Sequence, residues 1–259
     1  MISPQTKTDA RTLAYINLYG ILGTLENLCE LDPEARALLK NKKPISIAFV
    51  VKDGPSATIT FKNGRCRMED GAAPDATVKL PFSSCEKFNG LIDGTVTPIP
   101  SKGFTKIGFL LKQFTPLTDL LSKYMRPDEE DLKDEKFFDI STQLMFYTIA
   151  VSIAQIANND EIGRFSASHM PDGDVLMSIG GGPKATIMAR NHRLIAVKKA
   201  TDTPRAMMEF ENIRIARDLF DGKINAVGAL GDGKVKVGGM LSMVDNLNRI
   251  LDRVGLYLT

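Results

Sequence analysis

Two kinds of hydrophobic pattern alternate along the chain. Apolar residues recur at three- and four-residue steps between Leu13 and Leu28 and again between Ile140 and Ala154, which is typical of one face of an α-helix. Each helical stretch is followed by runs in which apolar and polar residues alternate, as in half-buried strands. These runs are residues 45–51, 57–61, 65–69, 185–190 and 193–199. Each half of the chain is therefore expected to begin with a helix and continue as a meander.

Turn residues support the same order of elements in both halves. Asn63-Gly64 separates two alternating runs and favours a type I′ hairpin, whose central residues need positive φ. Asn191-His192 takes this place in the second half. Further elements are predicted in pairs: a strand at 76–80 or 206–210, a capped helix at 83–94 or 212–222, a strand at 106–109 or 234–237, and a terminal amphipathic helix. The fold class is α+β, with mostly antiparallel sheets of about five strands covered by helices.

The two halves also share sequence. Residues 54–59 (GPSATI) recur as residues 182–187 (GPKATI), an offset of 128, the difference between 182 and 54. The same offset relates residues 91–94 to 219–222 and relates Gly103 and Lys106 to Gly231 and Lys234, whereas residues 74–76 match 204–206 at an offset of 130. The order of the matches never breaks, which indicates a duplicated unit. An acidic stretch at 127–136 marks the predicted boundary between domains 1–127 and 128–259.

Composition narrows the class of protein. The net charge is only +2, which argues against a nucleic-acid partner. The three cysteines have no spacing typical of disulfide frameworks or zinc sites, and the amino-terminal stretch does not resemble a secretory signal, so we expect a cytoplasmic protein. The uncharged stretch 140–159 contains eight polar residues. We therefore expect a buried helix there and not a membrane span.

Several short segments resemble a known family. They are Phe61–Gly64, the Pro-Asp-Ala-Thr-Val segment at 74–78, the Gly-Leu-Ile-Asp-Gly segment at 90–94, and residues 218–224 and 234–239 in the second copy. Together they resemble the sterol-carrier-protein family of small lipid-binding domains, present here as a tandem pair. The resemblance implies, in each repeat, an apolar tunnel between sheet and helices that holds a fatty acid, phospholipid, sterol-like or isoprenoid molecule.

The residues predicted to line such a tunnel are apolar and lie near the end of each repeat. Seven of the eleven methionines fall in the last 90 positions, and methionine adapts to varied apolar partners, although ordinary core packing explains them equally well. The predicted lining residues are Phe104, Ile107, Phe109, Leu110, Phe114, Leu117, Met188, Met207, Met208, Phe210, Val235, Val237, Met240, Leu241 and Val244.

No pattern of reactive residues indicates catalysis. His169 and His192 are the only histidines, and neither has neighbours at metal-ligand spacing. We therefore expect no enzyme activity, catalytic residue, metal or cofactor, and a function in the non-catalytic binding or transfer of a hydrophobic small molecule. The alternative is an accessory or scaffold protein with filled cores that contacts an enzyme of lipid or quinone metabolism. The sequence leaves the oligomeric state open.

A membrane surface is a further candidate partner. Basic residues flank the first terminal helix at Lys102, Lys106, Lys112, Lys123 and Arg126. Such a flank can contact anionic lipid transiently while a ligand is exchanged. A solvated helix face accounts for the same charges.

Overall fold

A computed structural model describes residues 8–39 and 43–258 of the chain. Its contacts divide these residues into two compact units, a first unit, Asp9–Ile140, and a second unit that contains the residues from Ser141 onward. The division falls inside a long helix, Glu135–Asn159. The boundary expected between residues 127 and 128 lies before this helix, ahead of the 3-10 turn Asp131–Lys133.

The first unit contains two helices that include a π-helical stretch, one before its sheet and one after it. Its first helix runs from α1 (Ala10–Tyr15) through a π segment (Ile16–Ile21) and a 3-10 turn (Leu22–Thr24) to α2 (Leu25–Leu31). The elements that follow are α3 (Pro33–Leu38), β1 (Ile45–Val51), β2 (Ser56–Lys62), β3 (Arg65–Asp70), β4 (Val78–Phe82) and α4 (Cys85–Ile92). The last helix comprises a 3-10 turn (Phe104–Lys106), α5 (Ile107–Phe109), a π segment (Leu110–Phe114) and α6 (Thr115–Met125).

The second unit repeats this plan and adds two elements. Most of the long helix, here α7 (Glu135–Asn159), belongs to this unit, from Ser141 onward. Its elements are α8 (Glu161–Ser168), β5 (Gly173–Ile179), β6 (Lys184–Arg190), β7 (Arg193–Val197), β8 (Ala206–Phe210), α9 (Ile213–Phe220), α10 (Ala226–Gly231), β9 (Val235–Gly239) and α11 (Leu241–Leu258). These two elements are the short helix α10 and the strand β9. Among the described residues of the first unit, no helix or strand lies between α4 and the 3-10 turn at Phe104, where their counterparts would stand.

Each unit contains one mixed sheet, so the predicted α+β class is confirmed. The strand orders are β3-β2-β1-β4 and β7-β6-β5-β8-β9. In both sheets the hairpin strands pair antiparallel, but β1 pairs parallel with β4 and β5 pairs parallel with β8. The expectation of mostly antiparallel, five-stranded sheets is therefore corrected, because both sheets are mixed and that of the first unit has four strands in the part of the chain described.

Strand registers agree between the units at an offset of 128. Ile47 lies opposite Ile59 and Val78, and Val175 lies opposite Ile187 and Ala206. The predicted caps follow the same offset: the side chains of Ser84 and Asn212 accept hydrogen bonds from the first turns of α4 and α9. The sequence match between residues 74–76 and 204–206 was wrong by two positions, since the parallel pairing places Val78, not Ala76, where Ala206 lies.

The last strand predicted for the first unit is wrong. Residues 106–109 are helical, and the place of β9 is taken by a single bridge between Lys79 and Lys102, where the second unit pairs Met207 with Gly238. The chain is shorter here because the first unit has no counterpart of α10. Gly103 therefore occupies the position of Gly239, not that of Gly231 as the sequence matches indicated.

The core of the first unit contains an aromatic cluster against its sheet. The buried residues of the last helix are Phe109, Phe114, Leu117, Leu121 and Tyr124. A π-helical turn has more than four residues, so it brings Phe109 and Phe114, five positions apart, to the same face. Leu110, which the sequence placed on this apolar face, is only half-buried for the same reason.

Helix α7 is long and apolar enough to cross a membrane by length and composition alone. In the structure, 72% of its most apolar 18-residue stretch is buried inside the protein. The buried residues include the polar Ser141, Thr142, Thr148 and Ser152. The Ser152 hydroxyl donates a 2.7 Å hydrogen bond to the Thr148 carbonyl oxygen, which satisfies it without water. The helix thus has the burial expected of a core helix.

Candidate ligand-binding site

The predicted tunnel residues lie in different environments. Seven are buried: Phe109, Phe114, Leu117, Met208, Phe210, Val235 and Val244. Four are half-buried: Leu110, Met188, Val237 and Met240. Four are exposed to solvent: Phe104, Ile107, Met207 and Leu241. Phe104 and Ile107 of the first unit, and Met207 and Leu241 of the second, are therefore not enclosed in the interior of their unit, whereas the lining of a tunnel by the other residues stays a prediction.

Aromatic rings fill the interior of the first unit where its helices cover β1 and β2. The ring of Phe61 lies 5.5 Å from that of Phe109 and 5.8 Å from that of Phe114, between ring centroids. Phe114 in turn lies 6.1 Å from Phe49. These distances are those of rings in direct contact. An acyl chain has no room between these rings unless they separate.

An open cavity of about 960 Å³ lies on the second unit, between α8, the end of α7 and the β6–β7 turn, and most of the residues around it are exposed to solvent. The residues that line it are Ala157, Asn158, Glu161, Ile162, Arg164, Phe165, Ser168, Asn191, His192 and Arg193. Among these, none belongs to the predicted tunnel. Its volume is at the upper end of the range of small-molecule sites, which is about 300–1,000 Å³.

The turn that forms one wall of the cavity is a predicted feature that the structure confirms. Asn191 and His192 have φ values of 48° and 62°, as a type I′ turn requires. The Asn191 amide donates a 2.8 Å hydrogen bond to Asp172 Oδ1. Asn158 links this hairpin to α7, because its Nδ2 donates to the Leu194 carbonyl oxygen at 2.8 Å and its Oδ1 accepts from the Leu194 amide at 3.0 Å. The two walls are thereby held together.

Helix α8, the other wall, is positioned by a buried carboxylate. Asp160 caps the helix by accepting a 2.9 Å hydrogen bond from the Gly163 amide. The same side chain binds Arg253 and Tyr257 of α11 at 2.6 Å and 2.8 Å. Arg164 and Phe165, one turn further along α8, reach the cavity from this fixed start. The contacts of Asp160 with α11 therefore fix the start of α8 and, with it, the positions of Arg164 and Phe165.

The lining combines an apolar wall with positive charge. Ala157, Ile162 and Phe165 supply the apolar part, and the Phe165 ring lies 4.5 Å from that of His169. Arg164 and Arg193 are exposed, and neither lies within ion-pair distance of a described carboxylate. Glu161 is the one acidic residue among the lining residues, so the arginines outnumber it. Such a site suits a molecule with an apolar body and an anionic group.

Sequence reasoning missed this site because its residues come from two distant segments. Residues 157–168 and 191–193 meet only through the docking of α7 and α8 on the hairpin. His192 was predicted as an exposed turn residue, which is confirmed, but nothing in its local pattern indicated a cavity. Within the described residues, no group of three His, Cys, Asp or Glu side chains is arranged to hold a metal ion.

Neither a family model nor a curated protein matches the chain. Solved structures to which it is similar include a ubiquinone synthesis protein, UbiJ-SCP2, at 11% identity and a TM-score of 0.34, covering 42% of this chain and 95% of that one. Sterol carrier protein domain 2 of Helicoverpa armigera is 16% identical, with a TM-score of 0.34 and coverages of 42% and 87%. The sec-alkylsulfatase Pisa1 of Pseudomonas sp. is 8% identical, with a TM-score of 0.29 and coverages of 56% and 28%. At these values, membership of the sterol-carrier-protein family and the tandem duplication stay predictions.

Proposed function

We propose that the protein binds an amphiphilic molecule of the lipid class without covalent chemistry, in the cavity of the second unit. The observation that carries the proposal is the 960 Å³ space with an apolar wall and two unpaired arginines at its edge. Burial of a hydrocarbon chain contributes about 0.8 kcal/mol per methylene. An arginine binds a carboxylate or phosphate through paired hydrogen bonds. A fatty acid or other anionic lipid has both parts.

The proposed role is that of a cytoplasmic carrier and not of an enzyme. The cavity lining contains one histidine and one carboxylate but no cysteine, and its serine, Ser168, is exposed on α8. The Ser168 hydroxyl donates to the Phe165 carbonyl oxygen at 2.7 Å and contacts the adjacent His169 ring at 3.2 Å. The same ring nitrogen, His169 Nδ1, lies 2.8 Å from the Phe165 carbonyl oxygen, and a nitrogen that donates to a carbonyl cannot also accept the serine proton as a base would. Such a carrier contacts a membrane surface transiently when it takes up or releases its lipid.

Titration with a fluorescent long-chain fatty acid tests the proposal. We expect saturable binding at one site per chain by the wild type. The charge-reversed variant Arg164→Glu/Arg193→Glu is expected to bind at least tenfold more weakly, since both substitutions repel the carboxylate. Arg65→Glu/Arg67→Glu makes the same change in charge on exposed β3 of the first unit and should bind like the wild type. Absence of saturable uptake by the wild type, or equal binding by all three proteins, contradicts the proposal.

A second candidate function is that of an accessory or scaffold protein. It is favoured by the aromatic contacts that fill the first unit, where the sequence had predicted an open tunnel. On this account neither unit takes up lipid and the surfaces act by binding another protein. The same titration separates the two functions, because a scaffold leaves the probe unbound at every concentration.

A further inference from the structure

Large apolar side chains project into solvent from one segment of the first unit. Their exposed fractions are 75% for Ile99, 60% for Phe104, 41% for Ile107 and 65% for Leu111. The last three are spaced at three and four residues on the helical segment that starts at Phe104, so they lie along one side of it. Phe109 and Phe114, on the other side, are buried in the core. Several large exposed apolar side chains on one short segment indicate an interaction site.

The charged residues of this segment are all positive. Residues 95–118 contain Lys102, Lys106 and Lys112 and no aspartate or glutamate. All three lysines are exposed, and no described carboxylate lies within ion-pair distance of them. The Lys102 ammonium reaches only the Pro74 carbonyl oxygen, at 3.5 Å. These lysines are therefore available to an anionic partner.

A fourth lysine strengthens this charge. Lys79 lies directly opposite Lys102 across the isolated antiparallel bridge, which places the two lysines at paired positions on neighbouring segments. Like charges at opposed positions are destabilising, and a bound anion would relieve the repulsion. By contrast, Lys123 and Arg126, which the sequence grouped with this basic flank, lie 3.0 Å from Asp131 and 3.9 Å from Asp93. The positive surface is thus confined to the start of the helical segment.

We propose that this surface, comprising Ile99, Phe104, Ile107 and Leu111 with Lys79, Lys102, Lys106 and Lys112, docks the protein on a bilayer that contains anionic phospholipid. The apolar side chains would enter the boundary between headgroups and acyl chains, and the ammonium groups would bind the phosphates. A bilayer fits better than a protein partner because lysine is depleted in protein–protein interfaces. The inference rests on the proposed function, because it locates the membrane contact that a lipid carrier makes. Docking itself does not require a ligand in the cavity.

Vesicle flotation tests the inference with the full chain. The probes are phosphatidylcholine vesicles with and without about one-third phosphatidylglycerol, at low and high salt. We expect binding to the anionic vesicles only, weakened by salt because screening shortens the range of the attraction. Phe104→Ser/Leu111→Ser and Lys106→Glu/Lys112→Glu should each bind at least tenfold more weakly. These side chains are exposed, so unchanged melting temperatures should show that both variants fold.

Matched variants control for changes of charge and apolar area elsewhere. Lys62→Glu/Lys87→Glu replaces exposed lysines of the same unit, and Ile195→Ser/Val227→Ser replaces exposed apolar residues of the second unit. Both should bind vesicles like the wild type. Failure of the wild type to bind anionic vesicles, equal binding to neutral vesicles, or wild-type binding by the surface variants overturns the inference.

The two proposals fail separately. Arg164→Glu/Arg193→Glu should lose fatty-acid binding and still bind vesicles, whereas the surface variants should bind the fatty acid and not the vesicles. A wild type that takes up fatty acid but ignores vesicles overturns the docking surface alone. A wild type that binds vesicles without taking up fatty acid overturns the cavity alone.

Discussion

Asp160 and Arg253 form a buried ion pair in the second unit, with 2.6 Å between Oδ2 of the carboxylate and Nη2 of the guanidinium. Both side chains are almost fully buried. Burial alone would raise the pKa of Asp160, but hydrogen bonds from Arg253, the Gly163 amide and Tyr257 outweigh it and lower the pKa below its ordinary value. The pair joins the start of α8 to α11 and so fixes one wall of the cavity.

Removal of the cation should be costly. Arg253→Met leaves the Asp160 carboxylate buried without its partner, and we expect the free energy of unfolding at neutral pH to fall by about 3–5 kcal/mol. Arg249→Met is the matched control, because Arg249 lies on the same helix in an exposed pair with Asp245 at 3.1 Å. The control should cost under about 1 kcal/mol. Urea denaturation measures both losses of unfolding free energy. Equal losses would show that the buried pair stabilises the fold no more than the exposed one.

The same carboxylate predicts a dependence of stability on pH. The pKa of Asp160 is lower in the folded than in the unfolded protein, so its contribution is complete above the unfolded pKa and is lost as pH falls through the folded one. Asp160→Asn removes this titration. We expect the difference in unfolding free energy between wild type and variant to be largest near neutral pH and to shrink in acid. A difference that stays constant from neutral to acid pH would contradict the assignment.

Tyr124 and Asp32 form the corresponding buried contact of the first unit. The Tyr124 hydroxyl donates a 2.7 Å hydrogen bond to Asp32 Oδ2, and Asp32 caps α3 through the Glu34 amide. Burial, and then the hydrogen bond to Asp32 and its negative charge, raise the pKa of Tyr124. Tyr124→Phe should lower the free energy of unfolding by about 1–2 kcal/mol. Tyr15→Phe, which removes one exposed contact with Arg11, should change it little. Burial and the hydrogen bond to Asp70 raise the pKa of Tyr19 as well, so two tyrosines should ionise above the usual range in an absorbance titration. Tyr124→Phe should remove one of these two, and an unchanged high-pH component would contradict the assignment.

Gly103 directly follows Lys102, the residue that bridges to β4 at the edge of the first sheet, and its backbone has a conformation that favours glycine. Its φ is 89°, and a Cβ atom there would lie 2.4 Å from the Thr77 carbonyl oxygen. Gly103→Ala should therefore cost at least about 1–3 kcal/mol of unfolding free energy. Gly108→Ala, on α5 with no neighbour within 4 Å of the added atom, should instead stabilise by up to about 1 kcal/mol. Thermal unfolding of the two variants should move in opposite directions, and a shift of the same sign would contradict the geometry.

Cys29 and Cys66 lie close enough to be joined by oxidation. Their Sγ atoms are 3.9 Å apart, between α2 and β3. Oxidised glutathione should convert the two thiols to a disulfide, and the two hydrogens they lose should reduce the reagent to two glutathione thiols. Peptide mapping without reductant should find this bond in wild type and in Cys85→Ser and not in Cys66→Ser. A glutathione adduct in place of the internal bond would contradict the prediction.

Local pattern predicted local structure well in this chain. The alternating runs and their turn residues placed the hairpins, because a type I′ turn and a two-residue period are set by neighbours in sequence. The parallel pairing of β1 with β4 was missed. The strands β2 and β3 lie between them in the sequence, and pairing between strands that are not consecutive leaves no local pattern. The helix at residues 106–109 was missed as well. Its π segment shifts the buried face, so Ile107 and Leu111 are exposed where a regular apolar face would bury them.

The most direct test of the central claim is native mass spectrometry of gently purified full-length protein, followed by solvent extraction and identification of any released molecule. We predict one anionic lipid per chain, absent from Arg164→Glu/Arg193→Glu and retained in Arg65→Glu/Arg67→Glu. A mass equal to that of the bare chain in the wild type, unchanged after incubation with fatty acid, would contradict lipid binding and favour the scaffold function.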